Sequence, residues 1–201
     1  MTTARDLLIV AMQTAPDRPV EPGDLSLALA GAELIDLLEN GSLTLDGDRI
    51  VPGLQVSTGD ELLDQAAAAL VRQDPYESAE DWLWRRGRGL SLTYLAGLEK
   101  DGVVTRSKGR WIPVATRRRE LADSPARRHA EARRAADEPV LAALTTSLRM
   151  DDKRADDFEN LTDEAVVTVL AAVGEAVTEL ESVRQRRTIE DAAFDNVWRG
   201  Q

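Results

Sequence analysis

Cysteine is absent from this 201-residue chain, and histidine occurs once, at His129. The first absence excludes disulfides and any thiolate site. The lone histidine sits in ARRHAEARR, a charged segment, and reads as solvated rather than catalytic. No apolar run approaches the ~18 residues of a membrane-spanning helix. The start, MTTARDLLIVAM, has too short an apolar stretch for a signal peptide. A cytoplasmic location is expected, with the inner face of the membrane as a surface the protein could meet peripherally. The Asn160-Leu161-Thr162 acceptor pattern then carries no meaning. There is no H-x-x-x-H, no G-x-S-x-G, no Gly-rich phosphate loop, no repeat and no low-complexity tract. No catalytic constellation emerges, no cofactor is called for, and the chain reads as a non-enzyme.

Charge is abundant and uneven. The chain carries 25 Lys and Arg against 36 Asp and Glu, a net charge of -11. Residues 85–134 hold 14 Lys and Arg and 5 Asp and Glu, so the middle is strongly basic and the remainder strongly acidic. Such polarity fits a face for phosphates or anionic lipid. It fits equally well arginines that pair with the acidic parts of the same molecule or of a second copy.

The elements are legible from periodicity and punctuation. Residues 3–13 form a short apolar helix, followed by a loop with Pro16, Pro19 and Pro22. From Leu25 to Leu38 apolar residues occupy nearly every helical face, which marks a core helix, with Gly31 allowing close approach. Asn40-Gly41 stops it. A hairpin over 43–52 turns at Asp46-Gly47-Asp48. Ser57 with Asp60, or Thr58 with Glu61, opens a helix over 59–73 through a capping box. Asp74-Pro75 breaks the chain. Helices are expected at 77–86, with Trp82 and Trp84 as core fillers, and at 89–101, with Leu92, Leu95 and Leu98 on one face. A second hairpin is expected from strands 103–106 and 110–114, turning at Ser107-Lys108-Gly109. Ser124-Pro125 caps a basic helix at 125–136, and Pro139 opens another to about Met150. Thr162 caps an amphipathic helix through Val183, and a final helix covers 188–199. The fold class is mainly α: a single domain over 1–201, with a helical core ringed by amphipathic helices and two small β-hairpins.

Three clusters invite a function. Arg85, Arg86 and Arg88 place three guanidiniums near a helix start, a candidate lipid- or phosphate-binding group, or a solvated loop. Arg106, Lys108, Arg110 and Trp111 gather at the second hairpin, a candidate membrane-contact tip. In the alternative, Trp111 folds inward and the charges protect an edge strand. The 103–114 hairpin is also a candidate edge for self-association. Asp151, Asp152, Asp156 and Asp157 interleave with Lys153 and Arg154, so solvated acids are expected there rather than a metal site.

The stretches AGAELIDLLENGSLTL, STGDELLDQAAAAL and LAGLEKDGVVTRSKGRWIPV resemble, in this order, the N-terminal core of the Golgi phosphoprotein three family. The match includes its bacterial relatives, and the composition looks actinobacterial. The resemblance implies a peripheral, non-enzymatic scaffold. In the eukaryotic branch a Trp and three Arg bind phosphatidylinositol 4-phosphate. Those positions fall here on Glu21 for the Trp and on Arg88, Ser91 and Ala30 for the Arg, so one of the four is kept. Anionic lipid headgroups are the implied partner, without strong phosphoinositide preference; the physiological lipid and the client protein are not named by the sequence. Residues 77–114 also resemble a winged helix, the alternative being a DNA-binding regulator. The helix at 89–101 carries no Arg, Asn or Gln before Lys100, which opposes base reading.

Overall fold

The structure, a computed structural model, describes residues 1–13, 20–106, 119–150 and 161–199, the side chains of 106 and 192–199 excepted. It is mainly α, with eight helices and two small antiparallel sheets among the described residues.

Helix α2 (Pro22–Glu39) is the centre, and every residue from Leu25 to Leu37 is buried. Its apolarity on all faces is satisfied because neighbours surround it: α1 (Thr3–Met12), α3 (Glu61–Ala68), α4 (Ala79–Arg86), α5 (Leu90–Lys100), α7 (Pro139–Ser147) and α8 (Glu164–Arg199). Gly31 sets the closest approach, since a Cβ there would lie 2.3 Å from Val173 Cγ2 of α8. Asp36 caps α1 from outside the helix, its carboxylate accepting from the Thr3 and Ala4 N–H groups. The core is one contiguous cluster of buried side chains.

The first hairpin stands where expected, as β1 (Leu43–Asp46) and β2 (Arg49–Pro52). Asp46 pairs with Arg49, leaving Gly47-Asp48 as a two-residue turn, and Gly47 takes the positive φ of 61° that it requires.

Four expectations are corrected. The start of α3 uses neither capping box: Asp60 is the N-cap and accepts from Leu62 and Leu63 N–H, while Ser57 and Thr58 bond Asp64. The segment at 188–199 is not a separate helix but the continuation of α8, because Arg184-Gln185-Arg186-Arg187 are good helix formers with no breaker among them. Asp163, not Thr162, caps α8 by accepting from Ala165 and Val166 N–H. Leu92 does not share the inward face of α5; it is 64% exposed, and Leu90, Ser91, Tyr94 and Leu98 are the buried residues.

Strand β3 (Val104–Arg106) pairs with β4 (Arg119–Leu121) rather than with the expected strand at 110–114. Leu121 is the residue that packs on the core opposite Val104. The 110–114 strand, with Lys108, Arg110 and Trp111, lies outside the described residues, as do the acids at 151–157. Helix α6 (Pro125–Ala135) buries only Ala130 and is held mainly by charge. Its His129 is not simply solvated: Nδ1 lies 3.1 Å from the buried carboxylate of Asp6 on α1, which Arg133 also reaches at 2.8 Å.

Candidate functional site: a groove beside Arg88

The three arginines at the end of α4 have three different fates. Arg85 lies over the Trp82 ring, 5.2 Å from its centroid, and donates to Glu77 at 2.6 and 2.7 Å. Arg86 turns inward and grips Glu33 of α2 with two hydrogen bonds of 2.8 and 2.9 Å. Glu33 is fully buried and also accepts from the Tyr94 hydroxyl of α5 at 3.1 Å. Burial pushes the Glu33 carboxyl above its ordinary range, and the Arg86 hydrogen bonds pull against it. Together these side chains tie α2, α4 and α5. Arg88, past the end of α4, is exposed and makes no ion pair with the described residues.

Arg88 stands on a groove of about 450 Å³. Its walls are the first turns of α2 (Pro22, Gly23, Ser26, Leu27), the α4–α5 junction, and Leu180 of α8. Trp84 and Leu92 add apolar surface. Gly87 lets the end of α4 lie against α2, since a Cβ there would sit 3.3 Å from the Ser26 carbonyl oxygen, and it would also meet the Leu83 carbonyl oxygen of α4 itself at 2.5 Å. Gly89 then turns the chain with φ 71° into α5. The N-cap residues of α2 and α5, Glu21 and Gly89, make no side-chain cap, though Ser26 Oγ takes one N–H of the first turn of α5. The positive end of α2 borders the groove, which favours anions, whereas the first N–H groups of α5 are already taken by the Gly87 carbonyl, Ser26 Oγ and the Gly89 carbonyl.

The groove's polar part is a small hydroxyl network. Ser26 Oγ is 2.7 Å from the Pro22 carbonyl oxygen and 2.9 Å from Ser91 Oγ. The Ser91 N–H donates to Ser26 Oγ at 3.1 Å, and Ser91 Oγ lies 3.2 Å from the Pro22 oxygen. Beside the groove Arg184 of α8 pairs with Asp24 at 3.0 Å.

Of the positions the resemblance pointed to, Arg88 and Ser91 line this groove and Glu21 flanks it as the exposed N-cap of α2. Ala30 does not line it; it is fully buried, its carbonyl accepting from Trp82 Nε1 at 3.1 Å. Arg106 ends β3. Sequence reasoning did not find Ser26, Trp84 and Leu180 as walls, nor Glu33 as the partner of Arg86. The last had a partial signal: Glu33, like Asp36, is an acid inside a mainly apolar helix and needs a polar partner.

A second, larger cavity of about 820 Å³ lies between the start of α1 and the loop before α3. Its cation is engaged: Arg5 reaches Asp60 at 2.5 Å and Asp101 at 2.6 Å. Asp36 lines it, its carboxyl pushed up to about 6 by burial against the pull of the Thr3 and Ala4 amides. Among the described residues no group of three or more potential ligands could hold a metal ion. No described helix is long and apolar enough to cross a membrane. The exposed side of α5 consists of Leu92, Thr93, Ala96 and Lys100, and Lys100 pairs with Glu61 at 2.7 Å, which leaves little to read a DNA groove.

No curated protein matches the chain. The model of one family, Golgi phosphoprotein 3 (GPP34), matches residues 4–197. With nearly its whole length covered, this chain belongs to the Golgi phosphoprotein 3 family.

Proposed function

We propose that the protein is a non-catalytic, peripheral scaffold that docks on anionic membranes through the Arg88 groove. The observation that carries this reading is a guanidinium, unpaired among the described residues, on an apolar-walled groove at the start of α2. Family membership supports the scaffold class. Arg85 and Arg86 contribute less than their number suggests, because Glu77 and Glu33 already hold them. Arg106, Lys108 and Arg110 add attraction if they face the same membrane. Each basic residue near an anionic surface adds about 1 kcal/mol, so the affinity is low and falls as salt rises.

Flotation with vesicles of neutral lipid doped with anionic lipid tests this. The protein is expected to float at low salt, to be released as salt rises, and to lose about fivefold in binding with Arg88→Ala. Failure of the wild type to float with any anionic vesicle at low salt would refute the reading.

A further inference from the structure

We propose that the exposed segment of α8 at residues 185–191 is a self-association face. It packs antiparallel against the same segment of a second copy of this chain, with Arg186 of each copy on Glu190 of the other. The inference goes beyond the membrane reading above and does not depend on it.

The first support is the way α8 leaves the body. Val166, Val169, Val173 and Val177 are buried, Leu180 lines the groove, and Arg184 pairs with Asp24 of α2. Residues 185–191 are then all exposed, although the helix runs on to Arg199. These residues make nearly two turns, about 10 Å of helix, without one buried side chain. Helices in proteins owe most of their stability to packing of one face. A solvated helix can rely instead on opposite charges four residues apart. Here Arg186 precedes Glu190 and Arg187 precedes Asp191, so the cation comes first, the weaker order. Neither couple forms an ion pair among the described residues.

The second support is the order of charge. Two cations, Arg186-Arg187, precede two anions, Glu190-Asp191. That pattern is its own antiparallel complement. A two-fold axis across Thr188 sets Arg186 level with Glu190 of the second copy, and Glu190 level with its Arg186. At 3.6 residues per turn, Arg186 and Glu190 stand on one flank of Ile189, and in an antiparallel pair like flanks face each other. The contact is isologous and closes at two copies. A parallel pair would set like charges together, so the charges also fix the direction.

The third support is the side on which this face lies. Ile189 is 68% exposed and stands opposite Val173 and Leu180, the residues of α8 that meet Gly31 and Gly23 of α2. A second copy therefore seats on the side of α8 away from α2, and Ile189 supplies an apolar centre between the flanking charges. The seam is short, so the dimer is weak and depends on concentration and salt.

The test is sedimentation of the full chain at low salt, from micromolar to near-millimolar concentration. The wild type is expected to pass reversibly from monomer to dimer. Arg186→Glu and Glu190→Arg each place two like-charge pairs in the seam, and each should raise the dimer dissociation constant about tenfold. An equimolar mixture of the two variants restores both opposite-charge pairs, as does the double variant on its own, so both should associate like the wild type. These positions are exposed in the monomer, and circular dichroism checks that the variants keep the wild-type helix content. A wild type that stays monomeric throughout overturns the proposal. So does association that neither single reversal weakens, which would move the contact to another surface such as the 103–114 hairpin. Single variants that weaken the dimer but are not rescued by mixing overturn the antiparallel pairing.

Discussion

Two arginines only two positions apart, Arg86 and Arg88, sit in opposite surroundings built by the same helices. Around Arg86, α2, α4 and α5 close on a buried carboxylate, and the guanidinium is a structural tie. Around Arg88 the same helices begin or end, the backbone turns through Gly87 and Gly89, and the guanidinium meets solvent and an apolar groove. Basic residues in one segment are therefore not one surface. Whether a carboxylate lies within reach divides those that hold the fold from those that can meet a ligand, and the larger cavity repeats the lesson, since its Arg5 is clamped by two acids.

Removing the interior cation should break the comparison hardest. Arg86→Ala leaves Glu33 buried without its partner and is expected to cost about 3–5 kcal/mol in urea unfolding. A loss under 1 kcal/mol would mean that Glu33 is held as a neutral acid and that the tie is not ionic.

Next in size is Asp36, a buried carboxylate held by the Thr3 and Ala4 amides and, among the described residues, by no cation. Its folded pKa of about 6 lies above the ordinary 3.8. Its proton therefore favours the native state, a contribution complete below about pH 4 and lost as pH rises through 6. That gap corresponds to about 3 kcal/mol. Asp36→Asn should flatten the fall in stability between pH 4 and 7, and urea unfolding at several pH values checks it; an unchanged slope would place the titration elsewhere.

Gly31→Ala probes how closely α8 packs on α2. The added Cβ meets Val173 at 2.3 Å, so α8 must shift, at about 1–3 kcal/mol. Pairing it with Val173→Ala should recover part of the loss in thermal melts, because the two sites are coupled. Additive losses would show that the clash relaxes elsewhere.

The smallest effect on stability belongs to Arg88→Ala, expected within about 0.5 kcal/mol in the same urea assay. Paired with its loss of flotation, that contrast with Arg86→Ala is the sharpest form of the comparison. A large destabilisation would mean that Arg88 is a structural residue too.

Much of this was legible beforehand. The central helix, the first hairpin and the mainly α class follow from local signals: apolar residues on every face from Leu25 to Leu38, a Gly in a two-residue turn, and prolines and serines at helix starts. Caps were harder, because several acceptors lie within two residues of each start and tertiary contacts choose among them. Thr58 was drawn to Asp64, and Asp60 was left to cap α3 while holding Arg5. For β3, local turn chemistry favours the nearest strand, whereas packing of the partly buried Leu121 on the core favours a later one.

The sequence by itself determined the class of protein: helical, cysteine-free, without a reactive constellation, and belonging to a recognisable family. Only the tertiary structure decided which charges are available. Coulomb attraction and desolvation act over a few ångströms in space, and Glu33 lies 53 positions from Arg86 along the chain, so no local pattern shows their pairing. The same distance rule assembles the groove, since Ser26, Arg88 and Leu180 meet only after α2, α4, α5 and α8 have packed.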